Sequence, residues 1–187
     1  NIELSNIHLG AVKAFRECSY IELNNSTLSS EEVFWNCKNI KLNKTLINGF
    51  YPFFGSKNIE ISDFELEGKY SFQYCKNLEI KDSKLITKDA FWHAKNVKVA
   101  NTTIKGEYLG WYAENLTFIN CVIESHQPFC YAKNIKLIDC KMPNCDLAFE
   151  NTSVKGNIIG RVESIKNPLK GKLIIDELGE FGKDLPI

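Results

Sequence analysis

Apolar side chains recur along this chain at two nested intervals, every second residue within short stretches and every nineteenth residue over most of its length. Ile2, Ile21, Ile40, Ile59, Leu78, Val97, Leu116, Ile135 and Val154 fall on one period of 19, with no insertion or deletion between neighbours. We number this column as position 0. Position +2 is again apolar, with Leu4, Leu23, Leu42, Ile61, Ile80, Val99, Phe118 and Leu137. Position +1 between them carries Glu3, Glu22, Lys41, Glu60, Glu79, Lys98, Thr117 and Lys136. Such alternation predicts a strand with one face in water. Self-similarity at a fixed period of this size predicts a solenoid in which residues one period apart lie over one another.

The remaining columns supply the corners and two further sides. Position +4 holds Asn6, Asn25, Asp63, Asp82, Asn101, Asn120 and Asp139, residues suited to turns. Position +7 is apolar from Leu9 through Leu28, Ile47, Leu66, Leu85, Ile104 and Ile123 to Met142, and predicts a second strand. Gly49, Gly68 and Gly106 at position +9 mark a corner expected to need positive φ. A third side carries Phe15, Phe34, Phe53, Phe72, Phe91 and Phe129 at position −6. Small residues follow at position −3: Cys18, Cys37, Ser56, Cys75, Ala94, Ala113 and Ala132. Asn39, Asn58, Asn77, Asn96, Asn115 and Asn134 at position −1 are placed to bridge their amides from coil to coil. Three short strands per coil make an all-β, single-stranded parallel β-helix of about nine 19-residue coils. Leucine-rich repeats need roughly 20–29 residues per unit, and a hexapeptide helix needs an apolar residue every six, so both fit less well.

Residues 1–157 are read as coils and 158–187 as a C-terminal capping segment and tail. Gly110 stands where a phenylalanine belongs, and after Val154 the next coil is lost. Short strands around Asn167-Pro168 are expected to cover the open end, followed by a polar tail from Asp176. The N-terminal end shows no such cap, which points to missing upstream coils or an end-to-end partner.

Lys plus Arg equals Asp plus Glu at 23 each, and no basic run interrupts the pattern, so neither nucleic acid nor an anionic membrane is expected as partner. No stretch approaches the roughly 20 apolar residues of a membrane span. The seven cysteines follow the repeat and read as small buried hydrophobes, which suits a cytoplasmic location. No cofactor is expected, and no metal-spacing motif is present.

Candidate chemistry is chiefly aromatic. Trp35, Trp92 and Trp111 share position −5, while Tyr74, His93, Tyr112 and Tyr131 share position −4; not all of these can point inward, so at least one row is expected to face outward as a strip for an extended ligand such as an oligosaccharide. Glu107, His126 and Cys145 at position +10 of three successive coils form a second constellation, since Cys, His and carboxylate together can activate a thiolate. Asp89 is a further acid–base candidate.

The phrases Tyr70-Ser71-Phe72-Gln73-Tyr74, Asp89-Ala90-Phe91-Trp92, Gly106-Glu107-Tyr108-Leu109-Gly110-Trp111, Cys145-Asp146-Leu147-Ala148-Phe149-Glu150 and Val162-Glu163-Ser164-Ile165-Lys166-Asn167-Pro168 resemble a bacterial family catalogued as domain of unknown function 3737. The resemblance covers nearly the whole chain. It implies a right-handed β-helix of the pectin-lyase-like type, usually with more N-terminal coils, and it brings no assigned activity. The expected function is therefore a non-catalytic binding module, with carbohydrate along the aromatic strip. The alternatives are a structural or self-assembling protein that buries the aromatic face or the N-terminal end against another copy, and a polysaccharide-active enzyme.

Overall fold

The computed structural model describes residues 1–182 and residue 185. Among the described residues it is an all-parallel β-solenoid without helix, and position 0 forms one continuous row: Ile2 pairs with Ile21, Ile21 with Ile40, Ile40 with Ile59, Ile59 with Leu78, and so on to Val154. Residues 19 apart do lie over one another. At roughly 4.8 Å per rung, ten stacked rungs make a rod on the order of 40 Å long.

Two of the three sides are strands. In the early coils they run as one bent strand, Lys38–Phe50 and Lys57–Lys69, while later coils divide them, as in Lys76–Lys81 and Lys84–Lys88. The third side is not the short strand expected from the pattern. Tyr70, Phe72 and Tyr74 all have φ near +60°, as do Asp89, Phe91 and His93 in the next coil, so the backbone there is a run of turns. Its amides still bond between coils, alternately forward and back: Tyr70 to the Lys88 carbonyl at 2.7 Å, Phe72 to Pro52 at 2.9 Å and Tyr74 to Trp92 at 2.8 Å. These bonds stabilise a conformation that costs a bulky residue about 1–2 kcal/mol on its own.

Inside, Phe15, Phe34, Phe53, Phe72 and Phe91 stack with ring centroids 4.8–5.2 Å apart. The small column beside them explains the cysteines. The Cys75 thiol donates to the Phe53 carbonyl of the preceding coil at 2.8 Å, in the same way that the Ser56 hydroxyl donates to Phe34 at 2.5 Å. Sulfur and oxygen thus do one job, satisfying a carbonyl that the turn leaves buried. All seven thiols are free, and only Cys18 is less than fully buried.

Several local expectations are corrected. Gly49 and Gly68 do not adopt positive φ; they are glycine because a Cβ would sit 1.9 Å from the carbonyl oxygen of the coil before, Ser30 and Gly49 respectively. Gly110 does not break the register, since its amide bonds to Ala90 at 2.8 Å, and a Cβ there would meet the Phe129 ring at 2.7 Å. The next coil after Val154 is not lost. Ser153–Lys166 and Lys170–Gly182 are long strands paired in parallel, with Val154 opposite Gly171, so the expected short strands and polar tail from Asp176 are instead a tenth rung at a tighter spacing. The end of the expected tail, residues 183, 184, 186 and 187, lies outside the described residues.

The apparent freedom from insertions hides a compensated slip. Val122 lies opposite Lys141, 19 residues on, but His126 lies opposite Asp146, 20 residues on; the count returns to 19 at Ile135 and Val154. One residue enters at the corner between Lys141 and Asp146 and is taken back before Val154.

Candidate functional site

Of the aromatic columns, position −4 faces water. The rings of Tyr74 and His93 stack at 4.7 Å, His93 and Tyr112 at 5.1 Å, and Tyr112 and Tyr131 at 5.3 Å, with interplanar angles of 9–15°. Tyr74, Tyr112 and Tyr131 are 47, 46 and 38% exposed, and His93 is half-buried. Because each ring covers the face of the next, the ladder offers solvent its edges and phenol hydroxyls. Gly55 occupies the place before Tyr74, where Phe54 leans in at 5.2 Å. Glu150 raises the Tyr131 phenol above its ordinary pKa by unfavourable charge–charge interaction with the phenolate.

The tryptophans are half-buried. Each indole N–H donates to a backbone carbonyl in the next coil: Trp35 to Tyr51 at 2.7 Å, Trp92 to Tyr108 at 2.7 Å and Trp111 to Gln127 at 2.8 Å. Trp92 and Trp111 stack on each other at 5.5 Å, and Trp111 meets Tyr112 and Tyr131 edge-on. Of the seven ligand contacts expected from the pattern, four therefore form the outer ladder; Trp111 meets it edge-on, Trp92 stacks on Trp111, and Trp35 packs against Tyr51 and Phe54, each with its polar atom already used.

The corner constellation is rearranged by the slip. Cys145 points into the core, where its thiol donates to the Ile123 carbonyl at 3.3 Å and burial pushes its pKa up to about 12. A thiol held so far from its thiolate is no nucleophile. His126 meets Asp146 instead: its Nδ1 lies 2.8 Å and 2.9 Å from the two carboxylate oxygens. The Tyr108 ring stands edge-on to His126 at 5.5 Å. Glu107 is bound to Lys88 at 2.8 Å, and the hydrogen bond holds its carboxyl below the ordinary range. Asp89 is buried next to this pair, and desolvation raises its pKa. Of these groups, Lys88 and Glu107 line an open trough of about 720 Å³ together with Asn48, Phe50, Glu67, Lys69 and Lys105.

One column was not recognised from the sequence. Lys38, Lys57, Lys76 and Lys95 occupy position −2 of successive coils and pair in register, Lys38 with Lys57, Lys57 with Lys76 and Lys76 with Lys95. All four are exposed. They form no basic run because they stand 19 apart, and only tabulating every outward column at that period would have revealed the row.

A family model described as "Protein of unknown function (DUF3737)" matches residues 1–186. Two solved structures are similar to this chain at a low level. The periplasmic alginate epimerase AlgG, crystallised as a double mutant, is 10% identical with a TM-score of 0.40 over 87% of this chain and 50% of that one, so the chain spans half the length of that protein. QnrB1, a plasmid-mediated fluoroquinolone resistance protein, is 9% identical with a TM-score of 0.41 over 92% of this chain and 90% of that one. None of the curated proteins matches.

Proposed function

Since this chain belongs to the DUF3737 family, whose function is unknown, we propose from its geometry that it is a non-catalytic rod that holds an extended carbohydrate along its outward aromatic ladder. The observation that carries the reading is the ladder of Tyr74, His93, Tyr112 and Tyr131, four rings in register with their edges in water. An apolar row of this length on an otherwise regular surface marks a contact site. With ring faces taken, the ligand is held by edge contacts and by hydrogen bonds from phenols, each of which both donates and accepts. Sugar hydroxyls suit that chemistry. Calorimetric titration with a panel of neutral and charged oligosaccharides should give binding that Tyr112→Ala weakens; silence across the whole panel sinks the reading. A mass of two copies by light scattering that Tyr112→Ala returns to one would replace it with self-assembly through the ladder.

A second reading, acid–base chemistry on a polymer, is favoured by the His126–Asp146 pair, because a carboxylate that orients an imidazole through Nδ1 leaves Nε2 to exchange a proton. Any polysaccharide turnover by the protein that survives His126→Ala removes this reading.

A further inference from the structure

The outward columns next to the ladder differ in how their charges are arranged. At position +1, both signs of charge are mixed and two opposite pairs form, Lys41 with Glu22 at 3.7 Å and Lys98 with Glu79 at 3.1 Å. At position −2, like charges are stacked. Among the described residues Lys38, Lys57 and Lys76 make no ion pair, and Lys95 alone finds a carboxylate, Glu114, at 3.0 Å. Ammonium stems on adjacent rungs, roughly 4.8 Å apart at the backbone, repel one another, and like charges directly opposite in a sheet are destabilising. Nothing in the fold requires lysine there: Ser19 fills the same position beside Lys38, and Glu114 fills it beside Lys95.

The columns flanking the lysines are polar and equally regular. On one side, the Asn58, Asn77, Asn96, Asn115 and Asn134 amides each donate to the asparagine of the preceding coil at 3.0–3.1 Å, with Asn39 as the first acceptor, which leaves the second amide hydrogen of each donor free to bond outward. On the other side, two residues back along the chain, stands the aromatic ladder: Tyr74 precedes Lys76 and His93 precedes Lys95. Ring edges and ammonium groups therefore stand side by side in the two rungs of Tyr74/Lys76 and His93/Lys95, and the asparagine amides accompany all four lysines along the rod axis.

We propose that this strip binds a linear acidic polysaccharide whose carboxylates lie along the row Lys38, Lys57, Lys76 and Lys95; the proposal rests on the carbohydrate reading above and names the class of sugar. A linear pyranose chain advances by a distance comparable to one rung per ring, so a chain laid along the axis brings those carboxylates that face the rod within reach of the ammonium row at regular intervals. Lysine provides a point charge with rotatable donors, which tolerates small mismatches in that spacing. The hydroxyls of the sugar have the phenols and asparagine amides as partners. A single-stranded nucleic acid would find the charges but no free ring face on which to stack its bases.

The test compares oligogalacturonate with a neutral oligosaccharide of the same length, by calorimetry at low and high salt, on the wild-type chain and on two variants. One variant carries Lys38→Gln, Lys57→Gln, Lys76→Gln and Lys95→Gln together, and the other carries Lys41→Gln and Lys98→Gln. The oligogalacturonate should bind more tightly than the neutral sugar, lose affinity as salt rises, and be weakened about tenfold or more by the quadruple variant while the double variant leaves it unchanged. Relief of repulsion should leave the melting temperature of the quadruple variant equal to or above that of the wild type, which separates lost binding from lost fold. Equal binding of charged and neutral sugars, or an unaffected quadruple variant, overturns the lysine row and leaves the carbohydrate reading standing. Failure of both sugars to bind overturns the carbohydrate reading itself. Single-stranded polynucleotide binding as tightly as the oligogalacturonate overturns the choice of a sugar polymer.

Discussion

Two aromatic ladders lie two residues apart in the coils of Phe72/Tyr74 and Phe91/His93, one stacked in the core and the other on the surface. Phe53, Phe72 and Phe91 stack at 4.8 and 5.1 Å in the core, fully buried. Tyr74, His93 and Tyr112 stack at 4.7 and 5.1 Å on the surface, with both tyrosines almost half exposed. The spacing is the same because the rungs set it. Stacking therefore says nothing about role in either row, and exposure says a good deal: the inner row contributes to stability, whereas the outer row adds little stability and leaves ring edges free to be recognised.

The contrast is broken most directly at Phe72. Phe72→Ala leaves a void between Phe53 and Phe91 and should cost about 3–5 kcal/mol in chemical denaturation; a loss comparable to that of a surface change would show that the inner ladder is not what holds the coils. Tyr112→Ala removes a ring from the outer row and should cost about 1 kcal/mol or less while abolishing most ligand binding; a large loss of stability there would make the outer ladder structural as well. The smallest effect is expected at Asp89, on the corner between the trough and the turns. Burial raises its pKa, so its protonated form favours the folded state, and stability falls as pH rises from the ordinary aspartate range through the raised value. Asp89→Asn should remove that loss, raising the melting temperature at neutral pH by up to about 2 °C with no gain in acid below the aspartate range. A gain at every pH would assign the effect to something other than titration.

The inward columns were legible in the sequence because burial tolerates few residue types and therefore writes a strict period: Ile21 to Val154, Phe15 to Phe91 and the small column at Cys37, Ser56 and Cys75 all stand where spacing put them. What was not legible falls into three physical classes. The turn conformation of Tyr70, Phe72 and Tyr74 depends on hydrogen bonds between coils, which no local propensity reports. The exchange of Cys145 for Asp146 beside His126 came from a slip that cancels before the next marker residue, so counting from position 0 could not detect it. The lysine row was hidden because a surface column is free to vary, and Ser19 and Glu114 interrupt it. Outward features are read less surely than inward ones for the same reason that they can carry function.

The extra residue between Lys141 and Asp146 shows how this architecture keeps its measure. The row at position 0 keeps its count of 19 through Ile135 and Val154, although the chain gains a residue at the corner before Asp146 and loses one against the coil above between Leu137 and Cys140. Length changes are thus confined to the stretches between such fixed rows. Those stretches take up slack within a single turn, so a chain built on this plan can reshape one patch of its outline, as it does beside His126, while its interior continues undisturbed above and below.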